Sequence, residues 1–499
     1  MNKYLVRIGA GLLAALMLTP IFASCNKATG GDDEHADGEQ TTVASGDNGE
    51  QGENQGSVDK VKTEAVLPNV NYEGYDFQIL ARQAEQVQID LWVGSDKKMD
   101  SVDEQVWARQ QFISENFGVD LVMNITEKDG GGGVNTSQIT SISAGSCEYD
   151  LIATHGRSAM DYALNGCGYN WYDLKWVDLD STPWWCQGAV SNWTINNKVY
   201  CMVGDLSYMN VGQANCMYFN KSLLDDAHID YPYEDVANGT WTLEKMKTMA
   251  LDAYAAMDSK TGSGKLADDS FAYTSGWWRG AMQLRYSAGQ FVITGNTKED
   301  LKITEYNEVL QDAYTSYIDN FLATSACSDE APENYNLMQE AFMDDRVVFY
   351  DDLVEESQTF DKIDFGIVPW PKANERVEGY PSLVNAYSNV FVVPLCVKDA
   401  ERTSVVLEAM AFFGYRNIVP QFYDEVIMYQ KSPDPESTQS LKLIRESLVY
   451  DLGYYYTLGG IGDIGRMCYE AGSAAGMSAY FRTYATVASE KLTDLYKLG

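Results

Sequence analysis

The segment Tyr273-Thr-Ser-Gly-Trp277-Trp278-Arg279 puts three aromatic rings and a guanidinium beside small hydroxyl residues. That mixture suits a ligand with apolar C–H faces and many hydroxyl groups, because rings stack on the faces while planar polar groups bond the hydroxyls. His155-Gly-Arg157-Ser158 offers a second set of donors and acceptors. A third comes from the consecutive acids Asp351 and Asp352 together with Asn385, Tyr387 and Asn389. Adjacent residues of a strand point to opposite faces, so on a strand one of Trp277 and Trp278 would face a ligand and the other the core. The chain has three histidines. His155 follows a predicted strand, His35 lies in a polar low-complexity stretch, and His228 follows a predicted helix.

Other chemistries find no support. Gly460-Ile-Gly462-Asp-Ile-Gly465 has the letters of a dinucleotide fingerprint. Such a fingerprint needs a strand before it, a helix after it and an acid about 20 residues on within a βαβ unit; this segment sits outside any full unit and reads as a flexible turn. There is no phosphate loop, no nucleophile elbow and no zinc-protease motif. With 72 acidic residues, carboxylate pairs at glycosidase spacing arise by chance. Nine cysteines contain no Cys-x-x-Cys pair, so no metal and no cofactor is expected. The net charge of −36 argues against nucleic acid and anionic lipid surfaces as partners, since both attract Lys and Arg.

Lys3 and Arg7 precede an apolar run, Ile8 to Leu18, too short to span a bilayer. Phe22-Ala-Ser-Cys25 follows, so residues 1–24 are expected to be a signal peptide. The cysteine after small residues resembles a lipobox, which implies lipid attachment at Cys25, although Phe22 stands where Leu is preferred. Loss of the signal would take the charge to −38, since it carries two basic residues and no acid. Asn26 to Ala65 has ten acids, three bases and no aromatic ring. It cannot bury enough apolar surface to fold, so residues 25–70 are expected to be an anchor and disordered tether reaching roughly 35 Å. Beyond Cys25, eight cysteines in an exported chain allow up to four disulfides, with the pairing open.

The body is long enough for two domains. Asp76–Ala81, Gly118–Ile125 and Asp150–Thr154 read as strands separated by helices at Val102–Phe117 and Thr136–Ala144, with Gly130–Gly133 a loop. This βαβαβ order predicts an α/β fold with a mostly parallel sheet and a ligand at the carboxyl ends of its strands. Lys198–Val203, Ala214–Phe219, Arg346–Asp351 and Phe365–Pro371 read as further strands. Thr240 is the expected cap of a helix over Leu243–Ala250, and helices are expected on to about Met343.

The ordered segments Asp150-Leu-Ile-Ala, Asn197-Lys-Val-Tyr, Met217-Tyr-Phe-Asn-Lys-Ser-Leu-Leu, Thr240-Trp-Thr-Leu-Glu, Ala341-Phe-Met-Asp-Asp-Arg-Val-Val-Phe-Tyr and Phe365-Gly-Ile-Val-Pro-Trp-Pro-Lys carry a resemblance. Over most of residues 75–430 the chain resembles the family 1 extracellular solute-binding proteins, which include maltose-binding and other oligosaccharide-binding receptors. The resemblance implies a periplasmic-binding-protein-like fold of two α/β lobes with a ligand cleft between them. Lobe one would be 71–207 plus 349–388, and lobe two 208–348 plus 389–499. Crossings would fall near 204–213, 350–355 and 384–390. It implies a monomeric, non-enzymatic receptor at the outer face of the cytoplasmic membrane that passes a sugar to the permease of an ABC transporter. His155, Arg157, Trp277, Trp278, Arg279, Asp351, Asp352, Asn385, Tyr387 and Asn389 would bind the ligand. The ligand's identity and chain length stay open. The alternatives are a secreted polysaccharide-degrading hydrolase and a surface adhesin.

Overall fold

The computed structural model describes residues 62–82, 90–94, 99–125, 135–328, 335–360, 363–428 and 434–498. The expected signal peptide, Cys25, the tether up to residue 61 and the Gly130–Gly133 loop lie outside them. The last residues assigned to the tether engage the body. Lys62 donates its backbone N–H to the Ser181 carbonyl (2.9 Å) and pairs with Asp178. Glu64 pairs with Arg416 at 2.8 Å.

Two four-stranded sheets organise residues 75–392. The first holds β1 (Tyr75–Ala81), β2 (Val119–Ile125), β3 (Leu151–His155) and β8 (Asn389–Val392), in the order β8-β3-β1-β2. β1 runs parallel to β2 and β3, and β8 closes the edge antiparallel to β3. Helices cover both faces of such a sheet, so its strands read as near-continuous apolar runs. Phe77, Ile79 and Leu80 of β1 and Leu121, Val122 and Met123 of β2 are all buried. The intervening helix, Ser101–Phe117, starts at a reciprocal cap between Asp100 and Asp103. It ends at Gly118, whose φ of +60° suits a residue without Cβ.

The second sheet holds β4 (Asn215–Asn220), β5 (Phe271–Ser275), β6 (Val347–Leu353) and β7 (Phe365–Pro369), in the order β5-β6-β4-β7. Here β4 runs antiparallel to both neighbours, while β5 and β6 are parallel. All seven residues of β6 are buried, including Asp351 and Asp352.

The pairings divide the chain otherwise than expected. β6 and β7 belong with β4, although 349–388 was assigned to lobe one. β8 belongs with β3, although 389 onward was assigned to lobe two. The chain passes from the first sheet to the second between Met202, which bridges to Phe391, and Asn215. It returns between Pro369 and Asn389, and crosses again between helix Ala400–Phe413, packed on Ser101–Phe117, and helix Pro435–Glu446, packed on β7. The expected crossings at 204–213 and 384–390 lie within the first two passages. The one at 350–355 does not, because the chain stays on the second sheet after β6.

Four local expectations are corrected. Lys198–Val203 forms only isolated bridges, not a strand. Thr242, not Thr240, caps Leu243–Ala256 by accepting from the Lys245 N–H. Thr240 instead donates to Asp235 Oδ1 at 2.8 Å. Helix does not continue from there to Met343, because β5 intervenes. The Gly460 turn is packed rather than loose, since a Cβ there would lie 2.7 Å from the Tyr484 ring.

Cys147 and Cys396 form a disulfide that ties the loop before β3 to the loop after β8. The six other described cysteines are free thiols.

In the first sheet's shell, Trp184 and Trp185 both donate their indole N–H to one buried carboxylate, Glu408, at 3.0 and 2.8 Å. Burial outweighs these two bonds and pushes Glu408 up from 4.5 to about 7. The folded state therefore binds this proton more tightly than the unfolded chain. The stability linked to Glu408 is greatest below pH 4.5 and is lost as pH rises to about 7. Tryptophan fluorescence is expected to titrate near pH 7 in the folded protein. A transition that persisted unchanged in Glu408→Gln would assign the titration to another group.

Candidate functional site

β3 ends at His155, which caps the helix Gly156–Leu164 by accepting the Arg157 N–H at Nδ1, 3.1 Å away. That bond leaves the ring proton on Nε2. Burial, then the charges of Arg82 and Arg157, holds the imidazole down at about 4. His155 is thus a neutral donor throughout the physiological range. A Cβ at Gly156 would collide with the Tyr455 ring and come 3.0 Å from the Ala386 carbonyl. Glycine there lets its N–H reach that carbonyl at 2.8 Å, which brings the 385–387 segment against the end of β3. The Tyr387 ring meets His155 edge-on at 6.1 Å. Its face carries the Arg82 guanidinium, 4.0 Å from the ring centroid.

Arg157 reaches the C-terminal part of the chain. It pairs with Asp463 at 2.7 Å and lies 5.2 Å from the centre of the Tyr454 ring. Asn385 accepts the Tyr387 N–H at Oδ1 (2.9 Å) and donates its own N–H to the Gln213 carbonyl (2.8 Å). Gln213 in turn donates its side-chain amide to Glu355. Burial first, then the neighbouring Glu356, pushes the Glu355 carboxyl upward, against the opposing charge of Arg279.

Trp277 and Trp278 are not on a strand, so the alternation expected of them does not apply. They follow β5 in a tight turn, and Trp277 takes φ +68°, an unusual conformation for an aromatic residue. Gly276 makes the turn possible: a Cβ there would lie 2.7 Å from Asp352 Cγ. The two rings stack within 3° of parallel, 6.0 Å between centroids. Arg466 covers Trp278 at 5.3 Å, and Trp277, 38% exposed, is the outer ring.

Arg279 begins the next helix and pairs with Asp352, with Glu356 3.9 Å away. Asp352 is fully buried and also accepts from the Tyr350 hydroxyl and the Leu353 N–H. It positions Arg279 from behind. Asp351 is equally buried and accepts from Tyr273, inside the second sheet's core. Burial pushes it up to about 6. Asn389 is buried as well and donates to Asp90 at 3.2 Å. These three candidates sit beneath the surface, whereas His155, Arg157, Asn385, Tyr387, Trp277, Trp278 and Arg279 are half-buried or exposed.

The result is one band of residues. It runs from His155 and Tyr387 through Asn385, Gln213 and Glu355 to Arg279 and the tryptophan pair, and the segment bearing Tyr454, Asp463 and Arg466 touches both ends. Arg82, Gln213, Glu355, Tyr454, Asp463 and Arg466 were not singled out from sequence. Only Arg82, directly after β1, carried a signal, because strand carboxyl ends in an α/β sheet face the ligand.

By sequence the chain matches no family model and no curated protein. By structure it matches solved solute-binding proteins. An ABC substrate-binding protein from Listeria monocytogenes, in complex with cycloalternan, aligns with a TM-score of 0.51 at 13% identity, covering 84% of this chain and 99% of that one. The GacH receptor of Streptomyces glaucescens, solved unliganded and with acarbose, aligns at 0.52 and 15% identity, covering 84% and 99%. The maltose/maltodextrin-binding domain from Bdellovibrio bacteriovorus, bound to maltotriose, aligns at 0.52 and 13% identity, covering 84% and 100%. These are binding proteins, and the likeness spans nearly their whole length. The chain has the periplasmic-binding-protein-like α/β fold of ABC solute-binding proteins.

Proposed function

We propose that this chain is a solute-binding receptor that captures a mono- or oligosaccharide between two lobes and hands it to the permease of an ABC importer. One lobe is built on the β8-β3-β1-β2 sheet and the other on the β5-β6-β4-β7 sheet. The observation that carries the reading is the band linking His155, Arg157 and Tyr387 on the first sheet's side to Arg279 and the Trp277–Trp278 stack on the second's. Its charges come as opposite-sign neighbours, Arg157 with Asp463 and Arg279 with Asp352 and Glu356. Such pairs hold donors and acceptors for hydroxyl groups without favouring an ion of either sign. Together with stacked aromatic rings they suit a neutral polyol better than a peptide or polyamine. No step of the reading needs a reaction, so the protein acts by binding alone. Closure would be driven by contacts that the ligand makes with both lobes.

A thermal-shift screen of sugars, peptides and polyamines, followed by small-angle scattering with the best ligand, tests this. A sugar is expected to raise the melting temperature and reduce the radius of gyration. Stabilisation by a polyamine alone, or sugar binding without compaction, would overturn the reading.

Anchoring through a lipid on Cys25 belongs to the same proposal. No described helix is long and apolar enough to cross a membrane. Cys25→Ser is expected to move the protein from the membrane fraction to the soluble one while ligand affinity stays constant. Membrane retention of the variant would remove the anchor assignment.

A further inference from the structure

A cavity of about 640 Å³ lies between the last long helix, Met477–Leu495, and the short hairpin formed by Ile293–Thr294 and Lys302–Ile303. It shares no lining residue with the band described above. The helix sequence explains why the space is open. Ser478, Ala485 and Ser489 recur on one helical face and are too short to reach the hairpin. Leu301, Ile303, Phe481 and Leu492 supply apolar walls. The ring of Tyr306, 40% exposed, stands edge-on to Phe481 at 6.0 Å.

The rim charge is unusual for this protein. The chain has 72 acidic against 36 basic residues, so its cations find carboxylates readily. Yet Lys302 and Arg482, both lining the cavity, have no carboxylate within 4.0 Å among the described residues. Arg482 donates only to Ser478 Oγ, at 3.3 Å. Glu305 also lines the cavity and pairs with neither. The rim is therefore net positive beside an apolar interior in a strongly acidic protein. A volume of this size, mostly apolar with a few convergent charges, is what a small organic ligand requires.

We propose that this groove is a second ligand site, for a free amphipathic carboxylate. A medium-length acyl or aromatic body would lie over Ala485 against Phe481 and Leu492, with its carboxylate held by Arg482 and Lys302. The inference is independent of the sugar reading, since it uses none of the same residues.

Calorimetric titration of the full chain with decanoate, and with decanol as its uncharged counterpart, tests it. One saturable site for decanoate is expected, with decanol about tenfold weaker because it forms no charge-assisted hydrogen bonds. Ala485→Trp fills the groove from an exposed helical position and is expected to abolish binding with an unchanged melting temperature. Arg482→Gln is expected to erase most of the difference between the two probes. Absence of a saturable site for decanoate, or undiminished affinity in folded Ala485→Trp, would overturn the proposal. Association with phosphatidylglycerol vesicles but not with free decanoate would also overturn it, by making the groove a membrane contact.

Discussion

Trp277→Ala is expected to weaken sugar binding about ten- to a hundredfold, the cost of losing a central aromatic anchor at about 1–3 kcal/mol. Trp277 is the outer ring of an Arg466–Trp278–Trp277 stack and retains 38% of its exposure. A sugar face laid on it would replace water over an apolar surface. The backbone separates this role from stability. Trp277 holds φ +68°, a conformation that costs a non-glycine residue about 1–3 kcal/mol. Trp277→Gly removes the ring and the strain together. It should lose the same affinity as Trp277→Ala yet melt at a higher temperature. Trp278→Ala should lose both affinity and stability, because the ring between Trp277 and Arg466 supports the outer one. Titration and melting of the three variants decide the matter. Wild-type affinity in Trp277→Ala would remove the tryptophan turn from the site.

Arg279→Met is expected to cost about 3–5 kcal/mol of folding stability, because it strips the counter-ion from a carboxylate that water cannot reach. Asp352 is fully buried and the Arg279 side chain is only 12% exposed. The Tyr350 hydroxyl and the Leu353 N–H remain as donors to Asp352, but neither supplies a positive charge. Asp352→Asn alone should also destabilise, by removing the nearer of the two carboxylates that face the guanidinium, with Glu356 left at 3.9 Å. The double variant Arg279→Met/Asp352→Asn should recover much of the loss, since it removes both charges. Chemical denaturation of all four proteins gives the coupling energy directly. Additive losses would mean that the pair does not hold the turn between β5 and the Arg279 helix, and that Arg279 is positioned by other contacts.

The parts of the fold legible in the sequence were those set by local periodicity. The alternation of β1, helix and β2 was readable because buried parallel strands are apolar runs and the helix between them repeats its apolar residues every three to four positions. The strand end at His155 was readable for the same reason. Trp277 and Trp278 were recognisable as residue types suited to sugar, but their arrangement was not. A positive φ and a ring stack depend on Gly276 lying against Asp352, a contact made across the sheet. Asp351, Asp352 and Asn389 illustrate the same limit. Nothing local distinguishes a carboxylate that faces a ligand from one that braces an arginine.

Local residue pattern was enough for β1, β2, β3 and the helix Ser101–Phe117, for the acidic charge and for the residue chemistry on offer. Which sheet each later strand joins was set by contacts distant in the chain. β6, β7 and β8 are all fully buried strands, and a buried strand carries no local mark of its partner. Pairing is chosen by the packing of the whole sheet. That is why β6 and β7 on one hand and β8 on the other exchange sides relative to expectation. The same reason hid Gln213, Glu355, Asp463 and Arg466, which reach the band only because two chain passages, the segment after β6 and a C-terminal segment converge there.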